Sequence, residues 1–345
     1  MDEQLLPDLL RLRGSVMAAS DEFFAAKENL IKPAAPAFVP ETYDAKGQVY
    51  DGWETRRRRG PGGTMPDRAA RDWVIVRLGV PGVVRSIVVD TAFFTGNYPQ
   101  ACSADASWAS GYPTPEELTA DPGQWQEIVP RALLTGDARH AFGVSFGRRS
   151  THVRLNIFPD GGVARLHVHG EVVPDPALLE GLTVDLAALE NGADIAARSD
   201  QFYSSPRNVI APGLSRVMGE GWETRRRRRP GYEWLVVRLA GRGVIHLAEI
   251  DTSWYRGNQP DFASLQTLDG DPANGSLAEE SAWRDLLPRV RLLPDTPHRF
   301  RVDGGPATHA RLNIFPDGGV ARLRLYGSLT DDGLAAIRRR WDETS

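Results

Sequence analysis

Short stretches of apolar and β-branched residues, separated by segments rich in Gly and Pro, recur along the chain, for example at 73–78. Residues 152–157 alternate: aliphatic side chains fall on one face, and His152, Arg154 and Asn156 fall on the other. Such alternation is typical of a β-strand because successive side chains point to opposite faces of a sheet. The pattern predicts an all-β fold, a sandwich or jelly roll built from short strands.

The segment 158–162, Phe-Pro-Asp-Gly-Gly, has the chemistry of a tight turn because its Asp and Gly residues tolerate positive φ. Residues 163–169 then alternate again. We therefore predict a β-hairpin over 152–169, with one buried aliphatic face and one exposed polar face. Helical patterns are confined mainly to the two ends of the chain, at 7–13 and 332–341.

The chain contains a long internal repeat. Gly-Trp-Glu-Thr followed by four arginines occupies 52–59 and returns unchanged at 221–228. The stretch 152–166 returns at 309–323 with a single substitution. Because several further motifs return in the same order, the repeat indicates duplication of a whole domain and not a solenoid.

Length and charge support two modules. The 345 residues divide into two jelly rolls, predicted at 1–178 and 179–345, each long enough to bury its own core. The net charge of −4 argues against nucleic acid as a partner, and no apolar segment is long enough to span a membrane. Because the single cysteine, Cys102, has no partner for an internal disulfide, we expect a cytoplasmic protein.

The arginine run allows two main interpretations. If 56–59 belongs to a strand, Arg57 and Arg59 point to the face opposite Glu54. One interpretation is a buried ion-pair network with acidic residues such as Asp72, because buried guanidinium groups need partners. The other is a guanidinium fork that binds a carboxylate ligand. A nucleic-acid patch is the weakest interpretation, since no aromatic residues are interleaved with the arginines.

Polar side chains also gather around the predicted hairpin. His152, Arg154 and Asn156 share one strand face, and Asp160 lies at its turn. Such a set can bind an anionic substrate and shuttle a proton. A solvent-facing strand without any function has the same pattern, so both interpretations remain open.

Matched histidines suggest a metal as a further possibility. His140 recurs as His298, and His152 recurs as His309. Together with a nearby carboxylate they can ligate a divalent cation such as Mn²⁺. No close histidine pair of the His-x-x-x-His type is present in the sequence, so the metal remains an open alternative.

The repeated motifs resemble those of the allantoicase (allantoate amidinohydrolase) family. The resemblance rests on Asp-Gly-Trp-Glu-Thr-Arg-Arg at 51–57, on Val-Asp-Thr at 89–91 with Gly-Asn at 96–97, and on the stretch 152–162. It covers about 20–330. It implies two jelly-roll modules of the galactose-binding, discoidin-like class and a homo-oligomer built from trimeric units, a trimer or hexamer. It also implies the reaction: allantoate and water give ureidoglycolate and urea, a step in purine degradation.

Breaking the carbon–nitrogen bond of allantoate requires a cation for its carboxylate, an acid for the departing urea and a base. We hypothesise that Arg57 and Arg154 bind the carboxylate, that Glu54 or Asp90 is the base and that His152 is the acid. The amide of Asn156 is a further candidate for substrate binding. The matching set in the second repeat is Glu223, Asp251, His309, Arg226, Arg311 and Asn313.

Three questions stay open. The duplication allows a single site at the junction, one site per module, or one active and one decayed site. A tandem binding module for sugars or other polar ligands is a rival class, since jelly rolls often only bind. A hydrolase of a related ureide, such as ureidoglycolate, is another. Measuring the turnover of allantoate and of ureidoglycolate by the purified protein separates these classes.

Overall fold

The computed structural model describes residues 6–60, 63, 67, 69–270, 277 and 280–345, and it divides into two compact units. The first unit comprises Met1–Val172 with Thr344–Ser345, and the second comprises Val173–Glu343. The boundary lies six residues before the predicted one. Each unit is a β-sandwich of the jelly-roll type, as predicted from the alternating pattern.

The first unit consists almost entirely of strands. A short helix, α1 (Pro115–Ala120), and 3₁₀ turns at Lys27–Ile31 and Pro122–Gln124 complete it. The strands are β1 (Ser15–Ala19), β2 (Tyr43–Asp44), β3 (Gly47–Gln48), β4 (Trp53–Glu54), β5 (Asp72–Asp90), β6 (Ala101–Ser107), β7 (Gln126–Leu133), β8 (Arg139–Gly143), β9 (Arg149–Phe158), β10 (Gly162–Val163) and β11 (Arg165–Val172).

The long strand β5 belongs to both layers of the sandwich. Its first part pairs with β1 and β9, and β9 pairs in turn with β6. Its second part pairs with β8 and β11. The register with β9 shifts between Arg77 and Gly82, where the strand passes from one set of partners to the other. The aliphatic side chains of both parts, including Val76 and Val89, are fully buried, so they form the core between the layers.

The predicted hairpin over 152–169 is wrong. Strand β9 pairs with β5 and β6, whereas β11 pairs with the second part of β5. The turn at 158–162 therefore carries the chain between layers and does not fold β11 back onto β9. Within it, Gly162 and Val163 pair with Glu54 and Trp53. This pairing connects the turn to the start of the arginine run.

The helix predictions are half correct. The C-terminal helix is present as α2 (Asp331–Glu343), but residues 7–13 form turns. Their backbone groups bond to neighbouring strands instead: the amide of Leu9 donates to the carbonyl of Val168, and Leu9 and Leu12 are buried. Helix α1 was not predicted. Its signal is the capping box of Thr114 and Glu117, in which each side chain accepts from the other residue's backbone N–H.

The second unit repeats this arrangement. Its long strand β15 (Glu233–Asp251) takes the place of β5. It pairs with β13 (Asp194–Arg198) and β19 (Pro306–Phe315) in its first part and with β18 (Pro297–Arg301) and β21 (Arg322–Leu329) in its second. The 3₁₀ turns are Pro176–Leu178, Leu189–Asn191, Pro206–Ile210, Met218–Glu220 and Glu280–Ala282. The strands are β12 (Val184–Asp185), β13 (Asp194–Arg198), β14 (Trp222–Glu223), β15 (Glu233–Asp251), β16 (Phe262–Leu268), β17 (Arg284–Arg291), β18 (Pro297–Arg301), β19 (Pro306–Phe315), β20 (Gly319–Val320) and β21 (Arg322–Leu329).

Within the described ranges, no helix has both the length and the apolar character needed to cross a lipid bilayer.

Candidate active site

A half-buried carboxyl group, that of Glu54, lies where three loops of the first unit meet. Strand β4 holds Glu54 opposite Gly162 of β10. The loop that follows β5 brings Asn97 to the same place, where its Nδ2 donates to Glu54 Oε1 over 2.8 Å. The carbonyl of Asn97 also accepts from the amide of Gly162 over 2.8 Å. Glu54 and Asn97 are therefore fixed relative to each other by both side chain and backbone.

The turn after β9 supplies a second carboxylate, Asp160, whose side chain is only 1% exposed. Its Oδ1 accepts from Arg57 Nη1 over 2.9 Å, and its Oδ2 accepts from the backbone N–H of Arg58 over 2.6 Å. Arg57 Nη2 lies 3.4 Å from the carbonyl of Gly96. Charge-assisted contacts of this kind hold a guanidinium in one orientation, while half of the Arg57 side chain stays exposed.

A pocket of about 290 Å³ opens beside this pair. A volume near 300 Å³ suits a small metabolite. Three consecutive arginines line its wall, and two of them pair with buried carboxylates, Arg57 with Asp160 and Arg58 with Asp72. Its lining residues are Arg57, Arg58, Arg59, Gly96, Tyr98, Gln100, Pro159 and Asp160.

The environment of Glu54 favours its protonated form. Burial raises the pKa of Glu54 above its ordinary value, and the hydrogen bond from Asn97 and the charge of Arg57 oppose this only in part. A carboxyl group with a raised pKa can both accept and donate a proton nearer to neutral pH.

The second unit reproduces the constellation. Asn258 Nδ2 donates to Glu223 Oε1 over 2.7 Å. Arg226 Nη1 lies 3.4 Å from Asp317 Oδ1, and the backbone N–H of Arg227 donates to Asp317 Oδ2 over 2.8 Å. Both repeats therefore hold a glutamate, an amide, an arginine and a buried aspartate in the same relation.

A family model supports this duplicated geometry. The model described as the allantoicase repeat matches residues 8–173 and again residues 184–330. The chain belongs to the allantoicase family. The first matched segment ends one residue beyond the first structural unit, the second lies within the second unit, and each contains one copy of the site described above.

Relatives named as allantoicases align over nearly the full chain. A probable allantoicase of Streptomyces coelicolor is 50% identical over 337 residues, 96% of this chain and 88% of its own length. One of Nocardia farcinica is 52% identical, covering 94% of each chain. The crystal structure of allantoicase from Saccharomyces cerevisiae superposes with a TM-score of 0.75 at 34% identity, covering 93% of this chain and 92% of that one.

The arginine run of this allantoicase repeat does not behave as a strand. Strand β4 ends at Glu54, so the expected alternation of faces beyond it is wrong. Instead, Arg57, Arg58 and Arg59 all line the same pocket. The ion-pair interpretation is also correct in part, because Arg58 Nη2 lies 2.6 Å from buried Asp72.

Asp90 and Asp251, proposed as alternative bases, each accept hydrogen bonds in the turn that ends their own strand. Asp90 Oδ1 accepts from the amide of Ala92 over 2.8 Å, and Asp251 Oδ1 accepts from the amide and hydroxyl of Ser253. Both are nearly buried, and the guanidinium beside Asp90 is that of Arg139, 3.8 Å away, and not that of Arg57. Their contacts resemble those of turn-stabilising residues.

The polar face of β9 is covered and not exposed. His152 and Asn156 are buried, and Arg154 lies over the ring of Trp125 at 4.7 Å. Arg154 and Asn156 both donate to Asp105 on β6, over 3.0 and 2.8 Å. The guanidinium of Arg154 and the Nδ2 of Asn156 therefore bond within the unit, whereas Asn156 Oδ1 and His152 Nε2 are buried and have no hydrogen-bond partner among the described residues.

The structure does not bring His152 to the pocket. His152 lies six residues before Phe158 on β9, roughly 20 Å along an extended strand. Its Nδ1 lies 2.8 Å from Thr151 Oγ1. Burial, with a smaller contribution from the charge of Arg77, lowers the pKa of His152 to about 4. The imidazole is therefore neutral at pH 7.

The second repeat buries the same face with different partners. Arg311 lies 4.9 Å from the ring of Trp234, and its Nη2 donates to the Tyr232 hydroxyl over 3.2 Å. Asn313 donates to the side chain of Gln266, which stands in the place of Asp105. His309 is buried like His152, and its Nδ1 lies 2.9 Å from the Thr308 hydroxyl.

Among the described residues, no three His, Cys, Asp or Glu side chains come close enough together to hold a metal ion. The Nε2 atom of His140 lies 3.0 Å from the carbonyl of Thr135, and that of His298 accepts from the amide of Leu293 over 2.8 Å. These histidines close turns in their units.

Asn97 and Asn258 were not selected as candidates from the sequence, and Asp160, the counterpart of Asp317, was grouped with His152, Arg154 and Asn156 and not with Arg57. Their repetition was visible. Their contacts could not be read from the sequence, because Asn97 lies about 40 residues from Glu54 and Asp160 about 100 residues from Arg57 along the chain.

We expect folding stability to depend on the proton uptake of His152. The unfolded chain binds this proton near pH 6.5 and the folded chain only near pH 4, so the folded state loses about 2 kcal/mol between pH 7 and pH 5. Urea denaturation at both pH values, compared with His152→Gln, measures this loss. An equal loss of stability in both proteins would contradict the buried neutral state.

Proposed function

We propose that the chain hydrolyses allantoate to ureidoglycolate and urea in the pocket beside Arg57. The observation that carries the proposal is a pocket lined by three arginines, one of which, Arg57, lies close enough for its charge to act on Glu54, a carboxyl group of raised pKa. Allantoate is an anion with two ureido groups on one saturated carbon, so it needs a cationic site and a proton-transfer group. The names of the full-length relatives point to the same reaction.

Arg57 is the proposed ligand of the substrate carboxylate. Asp160 fixes one side of its guanidinium, which leaves the exposed side to bind a carboxylate through two parallel hydrogen bonds. Because Asp160 holds the side chain before substrate arrives, little conformational entropy is lost on binding. Arg59, on the same wall, adds positive charge.

Glu54 is the proposed proton-transfer group. Asn97 donates to its Oε1, and we assign the proton transfer to Oε2. As a base it takes a proton either from the attacking water or from the nitrogen of the retained ureido group, which expels urea through an imine-like intermediate. In either route the bond between the central carbon and the urea nitrogen breaks, a carbon–oxygen bond to water forms, and the departing nitrogen receives a proton.

The test is urea release from allantoate by the purified protein. Replacing both proposed bases, in the double variant Glu54→Gln and Glu223→Gln, should lower kcat/KM about 100-fold or more because the amide cannot accept the proton. The isosteric change keeps the acceptor for Asn97, so the fold should persist, as circular dichroism can check. Glu116→Gln, an exposed position in α1, is the matched control.

Three outcomes would contradict parts of this proposal. An unchanged kcat/KM in the double variant excludes the two glutamates as bases. Turnover of ureidoglycolate in place of allantoate would show that the protein is a hydrolase of another ureide. Binding of a ligand without turnover of either ureide would show that it is a binding protein and not an enzyme. Activity assays after chelation, with and without added Mn²⁺, test whether the reaction requires a divalent metal.

We also propose a cytoplasmic homo-oligomer without nucleic-acid or membrane partners. Exposed aromatic pairs at matched positions, Phe23 and Phe24 in one repeat and Phe202 and Tyr203 in the other, supply apolar surface for self-association. Light scattering should give a mass that is a multiple of three chains of 38.0 kDa. A monomer at micromolar concentration would contradict the proposal, and cell fractionation tests the location.

A further inference from the structure

We infer that Asn97 and its counterpart Asn258 are positioning residues of the reaction, and that the hydrogen bond each donates sets the pH range in which its glutamate can act as a base. The inference rests on the proposed function and deepens it. Each amide donates from Nδ2 to Oε1 of its glutamate, over 2.8 Å to Glu54 and over 2.7 Å to Glu223. A carboxylate only accepts hydrogen bonds, so the amide turns its NH₂ group toward it.

The backbone holds each asparagine in place independently of its glutamate. The carbonyl of Asn97 accepts from the amide of Gly162 over 2.8 Å, and that of Asn258 accepts from the amide of Gly319 over 2.8 Å. The side-chain amide is therefore in position before any proton moves, and its hydrogen bond needs no rearrangement during the reaction.

The glycine that follows the buried aspartate allows this close approach. A Cβ atom at Gly161, where φ is +140°, would lie 2.7 Å from the carbonyl oxygen of Asn97. A Cβ atom at Gly318, where φ is +136°, would lie 2.5 Å from that of Asn258. Any other residue there would push the asparagine loop away from the turn. The Asp-Gly-Gly sequence of both repeats thus places the asparagine against its glutamate.

Burial and the hydrogen bond from Asn97 act on Glu54 in opposite directions. Burial raises the pKa of Glu54, the hydrogen bond from Asn97 lowers it, and the charge of Arg57 lowers it by less. Arg57 is also half exposed and paired with Asp160, which weakens its effect further. The neutral amide is therefore the main group that keeps the buried carboxyl ionised, because a hydrogen bond to the charged form favours that form.

Other charged groups on the elements next to β4 form ion pairs of their own. These are Arg56 with Asp21, Lys27 with Glu22 and Glu28, and Asp51 with Arg165 and Lys32. Because each of these charges lies beside an opposite one, their combined effect on Glu54 is small. The pH range of Glu54 is left to burial, Asn97 and Arg57.

The experiment changes Asn97 in a Glu223→Gln background, which confines proton transfer to the first repeat. Asn97→Ala removes the donor, and Asn97→Asp replaces it with a like charge of the same shape. The acid limb of the kcat/KM profile should move to higher pH, by about one pH unit in Asn97→Ala and by more in Asn97→Asp, because each change raises the pKa of Glu54.

A purely structural role of Asn97 predicts a different result. The isosteric Asn97→Asp would then disturb the loop less than Asn97→Ala does, and both would lower the plateau of kcat/KM without moving the acid limb. An acid limb that stays in place in both variants would overturn the inference and leave the proposed function standing.

Two further variants complete the test. Gln126→Glu makes an amide-to-acid change at an exposed position of β7 and should leave the profile of the background unchanged. Asn258→Asp in a Glu54→Gln background should move the acid limb of the second repeat to higher pH. This reciprocal variant decides the question if the Asn97 variants do not fold, and an unmoved limb there counts against the inference.

The proton of Glu54 can also be followed without turnover. Subtracting the infrared spectrum of the matching Glu54→Gln variant isolates the band of the protonated Glu54 carboxyl. Its titration midpoint should lie at higher pH in Asn97→Ala than in the parent protein, and an unmoved midpoint would overturn the inference. If the parent protein releases no urea from allantoate, the proposed function fails, whereas the infrared titration still decides whether Asn97 controls this proton.

Discussion

The buried carboxylate of Asp160 is the contact on which the site depends. It accepts from the side chain of Arg57 and from the backbone of Arg58, and so joins the turn after β9 to the arginine run after β4. A buried carboxylate must be paired, because leaving it unpaired costs several kcal/mol. The turn and the run therefore take one relative position. That position orients the guanidinium of Arg57, the proposed ligand of the substrate carboxylate, and keeps Glu54 within reach of its charge.

The same contact between an arginine and a buried aspartate occurs in both repeats. The aspartate, arginine, glutamate and asparagine recur with the same contacts in the second repeat, although the surroundings differ, as in the change from Asp72 to Glu233.

The fold was largely predictable from the sequence, and the site only in part. Alternation at 152–157 identified a strand, and the repeat identified two modules, since both are local patterns. The partners of that strand were not predictable, because pairing of β9 with β5 is a contact between distant segments. For the same reason the polar face with His152 and Arg154 was expected at the surface, whereas Trp125 and neighbouring residues cover it.

The most direct test of the account is a crystal structure of the Glu54→Gln variant with allantoate bound, since a slow variant retains its substrate. We predict density for the substrate carboxylate within hydrogen-bond distance of the Arg57 guanidinium, with the central carbon facing residue 54. Density for allantoate elsewhere, such as beside the β9 face that carries Arg154, with Arg57 bound only to Asp160, would contradict the account.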